Sequence, residues 1–172
     1  MISKKTLNEV KYLKGKNIKQ ELPFINSCIK ATMGDYRHLL VTKDELSDLF
    51  YFRVGDAFLI LQDCGVDEDY WDITHGIHVV YLVSESGKLS FRQSFKFLAI
   101  LKEVFRHFTK DEPVDCMLLS AYCRHTTSLP LIQKLAKKLH GELNDKEVNV
   151  YNSPTEDTMY DYVEYCIRVS EL

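Results

Sequence analysis

The sequence is short of the residues and patterns that most often betray a chemistry. It has seven glycines and four prolines in 172 residues. Neither a Walker phosphate loop nor Gly-x-Gly-x-x-Gly is present, so the common nucleotide cradles are excluded. The five cysteines, Cys28, Cys64, Cys116, Cys123 and Cys166, are odd in number and form no Cys-x-x-Cys pair. That argues against a disulfide framework and points to reduced thiols in a cytoplasmic setting. No stretch approaches the roughly 18 apolar residues of a membrane span. Met1-Ile2-Ser3-Lys4-Lys5 lacks the apolar run of a signal peptide. Charge of one sign is also missing: 22 basic residues oppose 25 acidic ones, for a net charge of −3. A strongly basic nucleic-acid surface is thereby excluded. The lysines at 4, 5, 11, 14, 16 and 19 read as a solvated N-terminal surface.

What is present is a core. Hydrophobic residues make up 45% and aromatics 12%, and a chain of this length buries roughly 70% of its unfolded surface. Residues 7–13 suit a short strand or a helical turn. A helix is expected over about 22–32, with Pro23 in its first turn, Ile25 and Cys28 or Ile29 inward, and Gly34 as its stop. Thr42-Lys43-Asp44-Glu45 has the form of a capping box, so a second helix should run through Leu46, Leu49 and Phe50 to about 53. Ala57–Gln62 reads as a strand and 63–69 as a polar loop. An extended stretch from Trp71 to Val83 ends in the apolar run His78-Val79-Val80-Tyr81-Leu82-Val83, which suits a strand buried on both faces.

The clearest helix spans 91–108. Phe91, Phe95, Leu98, Leu101, Phe105 and Phe108 recur at spacings of three and four and should form its inward stripe. Asp111-Glu112-Pro113 breaks it, and Val114–Tyr122 reads as another buried strand. Thr126, Thr127 or Ser128 should cap a helix with Pro130 in its first turn and Gly141 at its C′ position. Strands near 142–151 and 160–169 complete the chain. Tyr151, Tyr160, Tyr162 and Tyr165 suit sheet packing, or a protein-partner surface.

Metal sites find little support. His75 and His78 would point to opposite faces of a strand. The acidic stretch Asp63, Asp67, Glu68, Asp69 lacks the glycine and glutamate of a calcium loop. Cys123 and His125 have no third group to make a nucleophile.

The order of elements, and above all Leu118-Leu119-Ser120-Ala121-Tyr122-Cys123-Arg124-His125-Thr126-Thr127-Ser128 followed by Leu131-Ile132-Gln133-Lys134-Leu135, resembles the GCN5-related N-acetyltransferase (GNAT) superfamily across about residues 43–169. The pattern also looks like acetyltransferase-like internal virion proteins of short-tailed bacteriophages. The resemblance implies an α+β fold with a mixed central sheet and helices on both faces. It implies residues 41–172 as the acetyltransferase-like domain, with 1–40 a helical extension or the domain's first part. It implies acetyl-CoA as cofactor and an amine as acceptor. By the family pattern, pyrophosphate would meet Lys88, Ser90, Arg92 and Gln93, and the general base would be Glu85, then His78, with Asp72 and His75 also within the presumed cleft. His125 would be an acid or a hydrogen-bond donor at the helix cap.

Two departures stand against an enzyme. The family's Arg/Gln-x-x-Gly-x-Gly/Ala becomes Ser86-Gly87-Lys88-Leu89-Ser90-Phe91-Arg92-Gln93-Ser94, with bulk at Leu89 and Phe91 where bare backbone is needed. The family's proton-donating tyrosine is replaced by Ile132 or Ala136, depending on register. The alternative is therefore a catalytically inactive protein on the same scaffold, binding a host protein or carried in a virion, with host cytoplasm or virion as its location.

Overall fold

The computed structural model describes residues 11–13, 16–33, 49–68, 71–123, 128–151 and 159–172. The elements are β1 (Lys11–Leu13), α1 (Lys16–Met33), β2 (Leu49–Val54), β3 (Ala57–Glu68), β4 (Ile73–Ser84), α2 (Phe91–Thr109), β5 (Cys116–Cys123), α3 (Ser128–Lys138), β6 (Glu142–Tyr151) and β7 (Met159–Arg168). The strands hydrogen-bond in the order β1-β2-β3-β4-β5-β7-β6. β4 and β5 run parallel, while β1–β2, β2–β3, β5–β7 and β6–β7 are antiparallel. The mixed sheet and its helices are the α+β architecture that the sequence implies. Among the described residues no helix is long and apolar enough to cross a membrane. All five cysteines are free thiols.

The described residues pack as two units, those up to 63 with those of 80–100, and those of 64–79 with those from 101 onward. In the first, Ile18, Ile25, Cys28 and Ile29 of α1 pack with Tyr51, Phe58, Ile60, Tyr81 and Val83. Arg53 forms an ion pair with Glu21 at 2.6 Å, and its guanidinium lies over Phe24 and Phe58 at 4.7 and 5.4 Å. Planar charge stacked on rings keeps a cation partly desolvated at modest cost. In the second unit, Met117, Leu119 and Ala121 of β5 and Val163, Tyr165 and Ile167 of β7 are buried, as are Ile132, Leu135, Ala136 and Leu139 along α3 and its end.

Several expectations are corrected. α1 begins at Lys16 rather than near 22, so Pro23 lies inside the helix and not in its first turn. Leu49 and Phe50 are not helical: they open β2, whose Leu-Phe-Tyr-Phe-Arg-Val pairs with β3 through a tight turn at Gly55, φ +61°. Aromatic and β-branched residues favour that pleated setting. The capping box at 42–45 lies outside the described residues. The stretch 63–69 is no loop as far as Glu68. β3 continues through it with its last residues solvated, and the described residues hold no cluster that could bind a metal. On α2 the inward face is Phe97, Ile100, Leu101 and Phe105, whereas Phe91 and Phe95 are 90% and 62% exposed. At the end of α3 the left-handed position belongs to His140, φ 56°, not Gly141. Gly141 is needed for space: a Cβ there would stand 3.2 Å from the Ala136 carbonyl and from Ile167.

Candidate functional site

Two polar clusters stand out, one in each unit. The first is the turn between β4 and α2. Thr32, in the last turn of α1, clasps the end of β4: its hydroxyl accepts from the Ser84 amide at 3.0 Å and donates to the Ser84 carbonyl at 3.1 Å. The Glu85 amide donates to the Asp56 carbonyl and the Gly87 amide to the Ser84 carbonyl, at 3.0 and 3.1 Å. The hydroxyls of Ser84 and Ser86 both donate to the Lys88 carbonyl, at 2.7 and 3.0 Å. Gly87 has φ +76°, and a Cβ on it would lie 2.8 Å from the Ala31 carbonyl. Its missing side chain makes room for α1.

α2 then opens on a reciprocal capping box. The Gln93 amide donates to Ser90 Oγ at 3.1 Å, and the Ser90 amide donates to Gln93 Oε1 at 2.9 Å. Gln93 Nε2 donates onward to the Val54 carbonyl and the Asp56 carboxylate. Burial raises the Cys28 thiol pKa, and the carboxylates of Glu85 and Asp56 push in the same direction.

This geometry bears directly on acetyl-CoA. A pyrophosphate needs bare amides converging on one point at a helix start. Here the amides of Glu85, Gly87, Ser90 and Gln93 are already engaged within the protein, and the one glycine faces Ala31. Leu89 is half-buried, and Phe91 stands out at the helix start. At the helix start the Ser90 and Gln93 amides are therefore not bare for a CoA pyrophosphate. Of the expected ligands, Ser90 and Gln93 are the cap itself, while Lys88 and Arg92 are exposed cations beside it. Glu85 is exposed in the same turn.

The second cluster lies on one face of β4, β5 and β7. His78 Nδ1 is 2.9 Å from Ser120 Oγ. The His78 ring meets Tyr122 edge-on at 5.5 Å, and Tyr122 meets Tyr162 at 5.2 Å. Tyr162 OH donates to Glu164 Oε2 at 3.0 Å, and Asn144 Nδ2 donates to Glu164 Oε1 at 2.6 Å. Strand alternation and register explain the assembly. His78 is paired with Ser120, Ser120 with Glu164 and Tyr122 with Tyr162, so all five side chains share a face. Burial lowers the His78 pKa below its ordinary 6.5, which keeps the imidazole neutral at pH 7. Burial, with the bond to Glu164 and its charge, pushes Tyr162 up to about 12, so it stays a donor. The arrangement can accept a proton at His78 and hold a polar group by hydrogen bonds.

His75 is buried against Phe108, ring centres 4.6 Å apart. Asp72 pairs with Arg168 at 3.4 Å. His125 lies outside the described residues. Ile132 and Ala136 are both buried, 2% and 0% exposed, and neither can donate a proton. The sequence reading missed Asp56, Thr32, Ser120, Tyr122 and Glu164. The period-two placing of Ser120 with Tyr122, and of Tyr162 with Glu164, is the signal that could have found the last three.

No protein-family model and no curated protein matches the chain. Solved structures do. An acetyltransferase of the GNAT family from Streptococcus pneumoniae superposes with TM-score 0.54 at 8% identity, over 94% of this chain and 100% of that one. Arabidopsis thaliana NAA60 in complex with a bisubstrate analogue gives 0.59 at 11%, over 92% and 97%. A Bacillus subtilis acetyltransferase in complex with CoA gives 0.53 at 11%, over 94% and 98%. At such identities the likeness is one of fold.

Proposed function

We propose that this chain, which has the GCN5-related N-acetyltransferase fold, acts by binding a protein partner and not by acyl transfer from acetyl-CoA. Fold alone leaves the activity open. The observation that carries the proposal is the start of α2: the Ser90–Gln93 capping box, anchored to Val54 and Asp56, takes up the amides of Ser90 and Gln93. Binding a host protein and serving within a virion, the roles implied by the phage resemblance, are both instances of this reading. Thermal unfolding with acetyl-CoA tests it. A ligand at a hundred times its dissociation constant adds about 2.7 kcal/mol of stability. The expected result is no shift of the midpoint at millimolar acetyl-CoA, and a clear shift would overturn the proposal.

A second reading is an N-acyltransferase acting on an amine, with acetyl-CoA as donor. It is favoured by His78, whose depressed pKa leaves it able to accept a proton near neutral pH. Under it, acetyl-CoA stabilises the protein, and Lys88→Ala with Arg92→Ala abolishes the effect.

A further inference from the structure

In the second unit the helices lie on one face of the sheet. Gln133 of α3 hydrogen-bonds Tyr165, and Gly141 beyond the helix end abuts Ile167. Phe108 of α2 meets His75, which the register places on the same side as Met117 and Ile167. On the opposite face His78, Leu118, Tyr162 and Glu164 are only half-buried, and Tyr122 is 44% exposed. No described α-helix of this unit covers them.

The charge on that open face has one sign. β6 ends the sheet. Its register sets Glu142 beside Cys166, Asp145 beside Glu164 and Glu147 beside Tyr162, so the three share the open face with Glu164. Glu164 itself is held by neutral donors, Tyr162 and Asn144. Among the described residues no cation pairs with any of these four carboxylates. β5, β6 and β7 carry two cations. Lys146 stands beside the buried Val163, hence on the other face, and Arg168 is held by Asp72 at 3.4 Å. His78 is neutral at pH 7 because burial lowers its pKa. Carboxylates alone would be a solvated rim. Here they border an uncovered sheet face and two tyrosine rings 5.2 Å apart, a residue type enriched at interfaces.

We infer that this face of β5, β7 and β6 is a docking surface for a basic segment of a partner protein. Its lysines or arginines meet Glu142, Asp145, Glu147 and Glu164, and one of them lies over Tyr122 and Tyr162. This deepens the proposed binding function and rests on it. The long basic side chains suit both parts, since their stems cover rings while the charge reaches a carboxylate. Other occupants fit less well. The phosphates of a nucleic acid would be repelled. A second copy docked through the same face would set carboxylates against their own counterparts. A metal ion finds no cluster of three ligands among the described residues.

The test uses the full chain and a labelled peptide that alternates lysine with serine and leucine. A second peptide has its lysines changed to glutamine, and labelled spermine serves as a third probe. The expected result is saturable binding of the lysine peptide that weakens with salt. Affinity should drop about tenfold or more in Asp145→Lys with Glu147→Lys, and in Tyr122→Ser. Asp111→Lys with Glu112→Lys makes the same change of charge away from the face and should leave affinity unchanged. All five positions are exposed, so circular dichroism should show every variant folded. If Tyr122→Ser unfolds, the two charge variants still decide. Equal weakening by both charge variants would mean attraction to net charge alone and would overturn the inference. So would equal affinity for the glutamine peptide, spermine binding as tight as the lysine peptide, a wild-type dimer lost in the Asp145 and Glu147 variant, or no binding of the lysine peptide. The acetyl-CoA titration separates the two claims: a protein that binds neither peptide nor acetyl-CoA defeats the inference alone, and one stabilised by acetyl-CoA defeats the reading beneath it.

Discussion

The two polar clusters use hydrogen bonds for opposite purposes. At the β4–α2 turn most side-chain bonds end on backbone: Thr32 on Ser84, Ser84 and Ser86 on Lys88, Ser90 on the Gln93 amide. Such bonds fix the path of the chain. On the β4–β5–β7 face the bonds join side chain to side chain, from His78 to Ser120 and from Tyr162 and Asn144 to Glu164. Side chains can reorient without unfolding a turn, so that face can exchange a protein partner for a ligand group. The first cluster is therefore expected to govern stability and the second to govern titration.

The largest effect should come from Gly87→Ala. The new Cβ would sit 2.8 Å from a backbone carbonyl at φ +76°, and no flexible side chain is there to yield. A loss of roughly 2–4 kcal/mol in denaturant unfolding is expected. A loss below about half a kcal/mol would mean that α1 and the turn are not packed as described. Next comes Ser90→Ala, which removes the cap and should cost about 1 kcal/mol. This variant also sharpens the contrast between clusters. If the capping box is what excludes the pyrophosphate, freeing the Gln93 amide should allow measurable stabilisation by acetyl-CoA that the wild type lacks.

How far the sequence foretold these clusters differs between them as well. The strand–helix–strand–helix–strand–strand order from His78 onward was legible because long periodic segments dominate there: α2, β5, α3 and β7 appear close to where alternation and three-four spacing put them. The faces were less legible. Phe91 and Phe95 continue the apolar stripe of α2 in sequence, but that helix starts beyond the region that buries its lower turns, and periodicity carries no information about where a neighbour stops. Leu49–Val54 was misassigned because a capping box upstream suggested a helix, while the pairing with β3 that makes it a strand is tertiary. The polar face around Ser120 was hidden inside a run read as buried on both sides, since small and aromatic polar residues do not interrupt an apolar pattern strongly.

His78→Gln probes the second cluster through pH. The folded-state pKa of His78 is depressed by burial, so the unfolded chain binds the proton more readily. The stability tied to the neutral ring is present above the ordinary 6.5 and is lost as pH falls through it toward the lower folded value. A glutamine cannot take that proton. At pH 7 the variant should lie within about 1 kcal/mol of wild type, and its acid limb below pH 6.5 should be flatter. An acid limb unchanged by the substitution would place the imidazole in solvent.

Tyr162→Phe is the smallest and the mirror image. It removes the donor to Glu164 and should cost about half a kcal/mol at pH 7. The phenol's pKa is raised from 10 to about 12, so the folded state holds the proton longer than the unfolded chain does. That contribution is present below pH 10 and is lost as pH rises from 10 toward 12. The phenylalanine variant should therefore lose less stability than wild type between those values. The Tyr162 phenol should also titrate late by ultraviolet absorbance in the difference between wild type and variant. If it ionises near 10 instead, the phenol is not desolvated on this face as described.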